Sequence, residues 1–166
     1  MKVFIVNGFP GSGKTTFEEM CMKYAWVYCI STIDYVKHIA KEEFSWDGNK
    51  TPRARKFLSD LKDLLSEWDD IPIKKIEENL ENLQRKGYLN NNHIVFIDCR
   101  EPEEIKKLCE LFNAKTILVK RDQENLELSN HADKNVLNYN YDIVIDNNGS
   151  LRELDKKAEE FCKKYA

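Results

Sequence analysis

The chain has 166 residues, 42% of them hydrophobic and 33% charged, a length that fits one globular domain burying roughly 70% of the surface its unfolded form exposes. Its 26 basic and 29 acidic residues leave a formal net charge of -3, so nothing in the balance calls for nucleic acid, and no apolar run approaches the ~20 residues of a membrane span. Five scattered cysteines with no C-x-x-C pair argue against a disulfide framework or a zinc site, and with a first apolar run too short for a signal peptide they point to reduced thiols in a cytoplasmic protein.

Val3-Phe4-Ile5-Val6 is a continuous apolar run, the pattern of a strand covered on both faces. A helical pattern follows, with Phe17, Met20, Cys21 and Tyr24 on one face. The next apolar run is 26–30. Ser31-Thr32-Ile33-Asp34 then reads as a helix start, and Ile33, Val36, Ile39 and Ala40 continue its stripe. Residues 44–90 carry two helical patterns and no strand. The first starts at Thr51-Pro52 and has the stripe Phe57, Leu58, Leu61, Leu64, Leu65 and Trp68. The second starts near Asp70-Ile71-Pro72, runs through Ile73, Ile76, Leu80 and Leu83, and stops at Gly87.

A third strand is expected over 94–97, with a helix after it on Ile105, Leu108, Cys109 and Phe112, and a fourth strand over 116–119. Residues 121–140 are polar and rich in Asn. A fifth strand follows over 142–145, and a last helix carries Leu151, Leu154, Ala158, Phe161 and Tyr165. Short strands alternating with helices predict an α/β fold: a five-stranded parallel sheet with helices on both faces, in a single domain. Residues 44–90 and 121–140 read as insertions at the functional edge of that sheet.

Gly8-Phe9-Pro10-Gly11-Ser12-Gly13-Lys14-Thr15 matches G-x-x-x-x-G-K-[ST], with a strand before it and a helix after it. The glycines let backbone N–H groups turn inward around phosphate oxygens, and the helix N-terminus adds its partial positive charge. Lys14 reaches β- and γ-phosphates, and the Thr15 hydroxyl ligates Mg²⁺. Gly8, Pro10, Gly11, Ser12, Gly13, Lys14, Thr15 and Thr16 are therefore the expected binding residues for a purine nucleoside triphosphate. Asp98 ends a strand and is expected on the Mg²⁺ side; its alternative is to cap the next turn.

Asp98-Cys99-Arg100-Glu101 fails the D-x-x-G of a GTPase, and Asn49-Lys50-Thr51-Pro52 fails N-K-x-D. Asp146-Asn147-Asn148-Gly149 has the letters of D-x-x-G but follows the wrong strand. The small size and the two insertions favour a small-molecule kinase. Arg100 and Arg121 follow strand ends, where an arginine meets a transferring phosphoryl group or merely pairs with Glu101 or Asp122. Arg53, Arg55 and Lys56 oppose the dipole of the helix that starts at Pro52, at roughly 0.3–1 kcal/mol each when exposed. Either an anionic ligand or an acid such as Asp47 or Asp60 offsets that misfit. Asp34 is explained equally by a capping box with Ser31 and by a carboxylate that orients an acceptor. His38 and His93 read as structural, and His131, in the expected lid, reads either as a solvated polar residue or as a nucleotide contact.

On these residues the chain resembles the nucleoside monophosphate kinase group of P-loop kinases, nearest to phage-type deoxynucleoside monophosphate kinases and adenylate-kinase-like small nucleotide kinases. Ser31-Thr32-Ile33-Asp34-Tyr35-Val36-Lys37 is similar to the S-T-G-D-x-L-R segment of that group, with Ile33 for Gly and Lys37 for Arg. The likeness implies Asp34 beside the acceptor and Lys37 at its phosphate. The stretch from Phe96 to Pro102 resembles the group's strand-end Asp and nearby Arg. The stretch from Tyr141 to Leu151 resembles the last strand and loop near adenine, which implies a nucleotide contact for Asn147. The resemblance further implies the sheet order 2-3-1-4-5 and ATP and Mg²⁺ as cofactors; Lys14, Asp98, Arg100 and Arg121 are the expected catalytic groups by their positions, and 121–140 is the expected lid. The acceptor that the resemblance implies is a nucleoside or deoxynucleoside monophosphate beside Asp34 and Lys37; Arg53 and Arg55, by their placement against the helix dipole, and Arg100, by its strand end, are the further expected contacts. Another small metabolite such as dephospho-coenzyme A, or a non-catalytic nucleotide-binding module, are the alternatives.

Overall fold

The most hydrophobic strand segments lie where a sheet is covered on all sides. In the computed structural model, which describes residues 1–122, 136–137 and 139–166, β1 (Lys2–Asn7), β3 (His93–Asp98) and β4 (Lys115–Lys120) each have at least four consecutive buried residues. β2 (Trp26–Ser31) and β5 (Ile143–Asp146) are only partly buried. They are the two edges: the order is β2-β3-β1-β4-β5, in the parallel sheet that the sequence pattern predicts and with the order that the family resemblance implies. An edge strand has one flank open, so its pattern is more mixed.

The fifth strand starts one residue later than the apolar run suggests. The Asp142 carboxylate accepts hydrogen bonds from the Thr116 N–H and hydroxyl, both at 2.8 Å, and the Asp142 N–H donates to the Thr116 hydroxyl at 2.9 Å. Asp142 thus clamps the chain to the start of β4 through side chains before the ladder begins.

The helices are α1 (Lys14–Cys21), α2 (Asp34–Phe44), α3 (Pro52–Asp69), α4 (Ile71–Arg85), α5 (Pro102–Phe112) and α6 (Leu151–Tyr165). The described chain forms two compact units, residues 1–29 with 89–166 and residues 30–88. The insertion expected over 44–90 falls largely in the second unit, which also takes in α2.

In the first unit alternate residues of the sheet, Phe4, Val6, Phe96 and Val119 among them, pack with Phe17 and Cys21 of α1 and with Leu154, Ala158 and Phe161 of α6. α5 packs against β1 and β4 and buries Ile105 and Leu108. Phe161 is the hub of the aromatic cluster, with ring centroids 4.9 Å from Phe4, 5.5 Å from Phe17, 5.8 Å from Phe96 and 4.9 Å from Tyr165. Ser150 and Glu153 form a full capping box at the start of α6. In the second unit Val36 and Ala40 of α2 and Leu58 of α3 form a small core, flanked by Ile33, Phe57, Leu61 and Leu65.

Four expected core positions are exposed. α1 ends at Cys21, so Tyr24 leaves the stripe and its phenol donates to Asp155 at 3.0 Å. Leu64 and Trp68 are 63% and 81% exposed. Both lie outside the small α2–α3 core, whose α3 members are Phe57, Leu58, Leu61 and Leu65. Leu151 is exposed because it is the first residue of its helix. No helix among the described residues is long and apolar enough to cross a membrane.

Phe161→Ala would remove the ring that joins both helices to the sheet. It should cost about 3–5 kcal/mol in denaturant unfolding without altering the sheet's far-ultraviolet dichroism.

Candidate functional site

Parallel register brings the functional strand ends to one edge. Val6 stands opposite Asp98, Asn7 opposite Leu118, and Lys120 opposite Asp146. The loop that leaves β1 at Gly8 closes with a Ser12 N–H bond to the Phe9 carbonyl at 3.1 Å. It enters α1 through the Phe17 N–H bond to the Gly13 carbonyl at 2.9 Å.

Two glycines are dictated by crowding. A Cβ on Gly8, at φ 153°, would strike the Val119 carbonyl oxygen and come 2.7 Å from the Ser12 hydroxyl. A Cβ on Gly13, at φ 95°, would strike the Asn147 carboxamide. Asn147 is itself buried: its side chain donates to the Ser12 carbonyl at 2.9 Å, and its backbone N–H to the Lys120 carbonyl at 2.7 Å. The loop is thereby held between the ends of β4 and β5.

Against this loop lies a cleft of about 520 Å³. Gly11, Gly13, Lys14, Thr15 and Thr16 form one wall, and Arg121, Asn147 and Leu151 line it from the β4 and β5 ends. Gly8, Pro10 and Ser12 shape the loop without lining the cleft. The Lys14 ammonium donates to the Gly8 carbonyl at 2.7 Å and the Phe9 carbonyl at 3.1 Å, which holds it at the loop's mouth. The Ser12 hydroxyl is fully buried and has no hydrogen-bond partner among the described residues. A Cβ-free cradle, a helix N-terminus, two cations and a buried hydroxyl in the loop fit a polyphosphate. Thr15 and Asp98 offer the hard oxygen donors that Mg²⁺ takes, and few are needed because Mg²⁺ keeps several waters. Among the described residues no three His, Cys, Asp or Glu side chains are grouped as a metal cage.

Sequence reasoning passed over Glu18. It lies one turn beyond Lys14 on α1 and is only 4% exposed. Burial pushes its carboxyl up to about 8, the Asp98 charge adds to the rise, and Lys14 opposes it. Burial, Glu18 and Asp98 likewise push the Cys29 thiol up to about 12. The signal was present: Glu18 falls between Phe17 and Cys21 on the inward side of the helix. Asp98 and Arg100 are half-buried, and the Arg100 carbonyl accepts from the Asn7 side chain at 3.3 Å.

In the second unit one Asp34 oxygen accepts from the Ser31 N–H at 2.8 Å and the other pairs with Lys37 at 3.1 Å. The helix α2 starts at Asp34 itself, with Ile33 as its N-cap and no side-chain cap, so the expected capping box does not form. A cleft of about 310 Å³ runs between α2 and α4, lined by Asp34, Tyr35 and His38 and by Lys75, Asn79 and Asn82. Lys75 lies 5.4 Å from the Tyr35 ring centre. Arg53 and Arg55, on the first turn of α3, do not line it. The Arg55 Nε donates to the Lys50 carbonyl at 3.2 Å, and Lys56 pairs with Asp60 at 2.6 Å. Of the proposed lid, residues 123–135 and 138, with His131 and Lys134, lie outside the described residues.

Comparison with known proteins gave no matching family model and no matching curated protein. Among solved structures the chain is similar to TT1252 from Thermus thermophilus, with a TM-score of 0.57 and 16% identity over 99% of this chain and 98% of that one. It is also similar to a putative kinase from Chloroflexus aurantiacus, with a TM-score of 0.52 and 11% identity over 99% and 97% of the two chains. The likeness is one of fold, a three-layer α/β arrangement with a five-stranded parallel sheet in the order β2-β3-β1-β4-β5. That arrangement accounts for the edge at which the P-loop stands.

A buried carboxyl raised above its unfolded value binds a proton in the folded state that the unfolded chain has released. Its contribution to stability is full below the ordinary glutamate range and is lost as pH rises to about 8. In magnesium-free buffer, urea unfolding of the wild type should therefore weaken between pH 5 and pH 8.5 relative to Glu18→Gln, which carries no titrating group there. Parallel stability curves for the two proteins would contradict the burial of this carboxyl.

Proposed function

We propose that the chain is a P-loop kinase that moves the γ-phosphoryl group of ATP, as its Mg²⁺ complex, to a hydroxyl-bearing small metabolite. The observation that carries this reading is the single cleft shared by the P-loop residues Lys14 and Thr15 and by Arg121. Phosphoryl transfer asks a protein for position and charge neutralisation, with little covalent chemistry of its own. Lys14 and the loop amides would hold the β- and γ-phosphates, and the Asn147 end of the cleft would meet the base. Thr15, and Asp98 through water, would hold Mg²⁺, which when bound neutralises phosphate charge as a Lewis acid. Arg121 and Arg100 would offset the charge of the transferring group.

The α2–α4 cleft of the second unit is the candidate acceptor site. Asp34 would accept a hydrogen bond from a hydroxyl group, and Asn79 and Asn82 offer amides to further oxygens. A nucleoside monophosphate is the narrower reading and rests on the likeness of residues 31–37. It asks for cations at the acceptor phosphate, yet Arg53 and Arg55 lie off the cleft, Lys37 is paired with Asp34, and Lys75 with Glu78 at 2.7 Å. A hydroxylated metabolite makes no such demand.

The test is ADP release from ATP and Mg²⁺ against a panel of hydroxy acids, sugars, and nucleoside and deoxynucleoside monophosphates. One acceptor should stimulate turnover. Lys14→Ala should lower that turnover by at least about 100-fold while keeping the wild-type melting temperature within a few degrees. Tight ATP binding with no stimulation by any class would make the chain a nucleotide-binding module and overturn the reading.

A further inference from the structure

β1 ends in a side chain that the apolar strand before it does not explain. Asn7 is fully buried, and its carboxamide reaches three separate segments. Its Oδ1 accepts from the Gly8 N–H at 2.8 Å, and its Nδ2 donates to the Arg100 carbonyl at 3.3 Å and to the Tyr141 hydroxyl at 2.7 Å. That hydroxyl donates onward to the carbonyl of Val136 at 2.7 Å, and Val136 is itself fully buried. Burial pushes the Tyr141 phenol up to about 12, so it keeps the proton this relay requires at neutral pH. One relay therefore joins the first amide of the P-loop, the loop after β3, and the chain returning to β5.

We propose that Asn7 and Tyr141 are positioning residues for phosphoryl transfer, locking the Arg100 backbone to the first residue of the phosphate-binding loop. The inference rests on the kinase reading above. A shift of the Arg100 loop away from the P-loop would leave one N–H of the Asn7 amide unpaired in a buried site, which stiffens the arrangement. The loop has a second tether one residue earlier, the Cys99 N–H bond to the Val6 carbonyl at 3.1 Å. Two bonds on successive residues fix both the height and the rotation of the backbone that carries the Arg100 side chain. Such stiffness is what a group needs if it is to meet charge that develops only in the transition state.

The test is a double-mutant cycle. Transfer of radiolabelled γ-phosphate from ATP to the best acceptor of the panel is measured for wild type, Tyr141→Phe, Arg100→Ala and the double variant. Affinity for a fluorescent N-methylanthraniloyl ADP is measured alongside. Tyr141→Phe should lower kcat about tenfold, leave ADP affinity within about twofold, and have no further effect on kcat once Arg100→Ala is present. Asn7→Asp keeps the acceptor for the Gly8 N–H but sets a carboxylate oxygen against the Arg100 carbonyl. It should lower kcat further than Tyr141→Phe, again only while Arg100 is present. Wild-type kcat in both folded variants, an equal loss with and without Arg100, or a loss of ADP affinity as large as that of kcat would each overturn the proposal. Failure of the wild type to transfer phosphate to any panel compound would overturn the kinase reading and this inference with it. Transfer by the wild type with unaffected variants overturns the inference alone.

Discussion

The backbone between Gly8 and Gly13 is boxed in by two groups that are not ligands, the carbonyl of Val119 and the carboxamide of Asn147. A side chain at either glycine would collide with one of them, so both positions require glycine. That crowding exists because β1, β4 and β5 are parallel, with Asn7 opposite Leu118 and Lys120 opposite Asp146, so that β4 runs two residues past the end of β1 and its Val119 carbonyl stands beside Gly8. The aromatic cluster around Phe161 holds α1 and α6 against the same sheet, so the helix that begins at Lys14 has a fixed origin. Packing far from the cleft thus decides the direction of the loop's N–H groups.

Charge is sorted across the same edge. Lys14, Arg121 and the N-terminus of α1 present positive charge to the cleft. Glu18 and Asp98 lie behind them, close enough that each raises the cost of charge on the other. A buried glutamate is expensive in a structural helix, and it is tolerated here as the protonated acid. The edge therefore keeps a net positive face toward an anion while holding carboxyl groups in reserve on the side where a hard cation would be bound.

Much of this was legible in the residues. The G-x-x-x-x-G-K-T spacing announced the loop, and the apolar runs gave all five strands to within a residue or two, because buried parallel strands carry uninterrupted apolar side chains. Thr51-Pro52 gave the start of α3, where the Thr51 hydroxyl accepts from the Ala54 N–H at 3.1 Å. What the pattern could not give was tertiary. Asn7 and Glu18 look like ordinary polar punctuation until the strand ends and the inward face of α1 are placed. Leu64 and Trp68 match a helical stripe, yet neither joins the α2–α3 core, which takes Leu58, Leu61 and Leu65 from the same helix. Asp142 reads as part of a strand because nothing in the sequence says that Thr116 will face it.

The central claim is that the P-loop cleft recognises a polyphosphate. Calorimetric titration of ATP, ADP and adenosine into the protein in the presence of Mg²⁺ tests it most directly. ATP and ADP should bind with affinities at least about 100-fold above that of adenosine, with binding lost in high salt more than a neutral ligand would lose it. Adenosine binding as tightly as ADP, or no binding of ATP at millimolar concentration, would contradict the account.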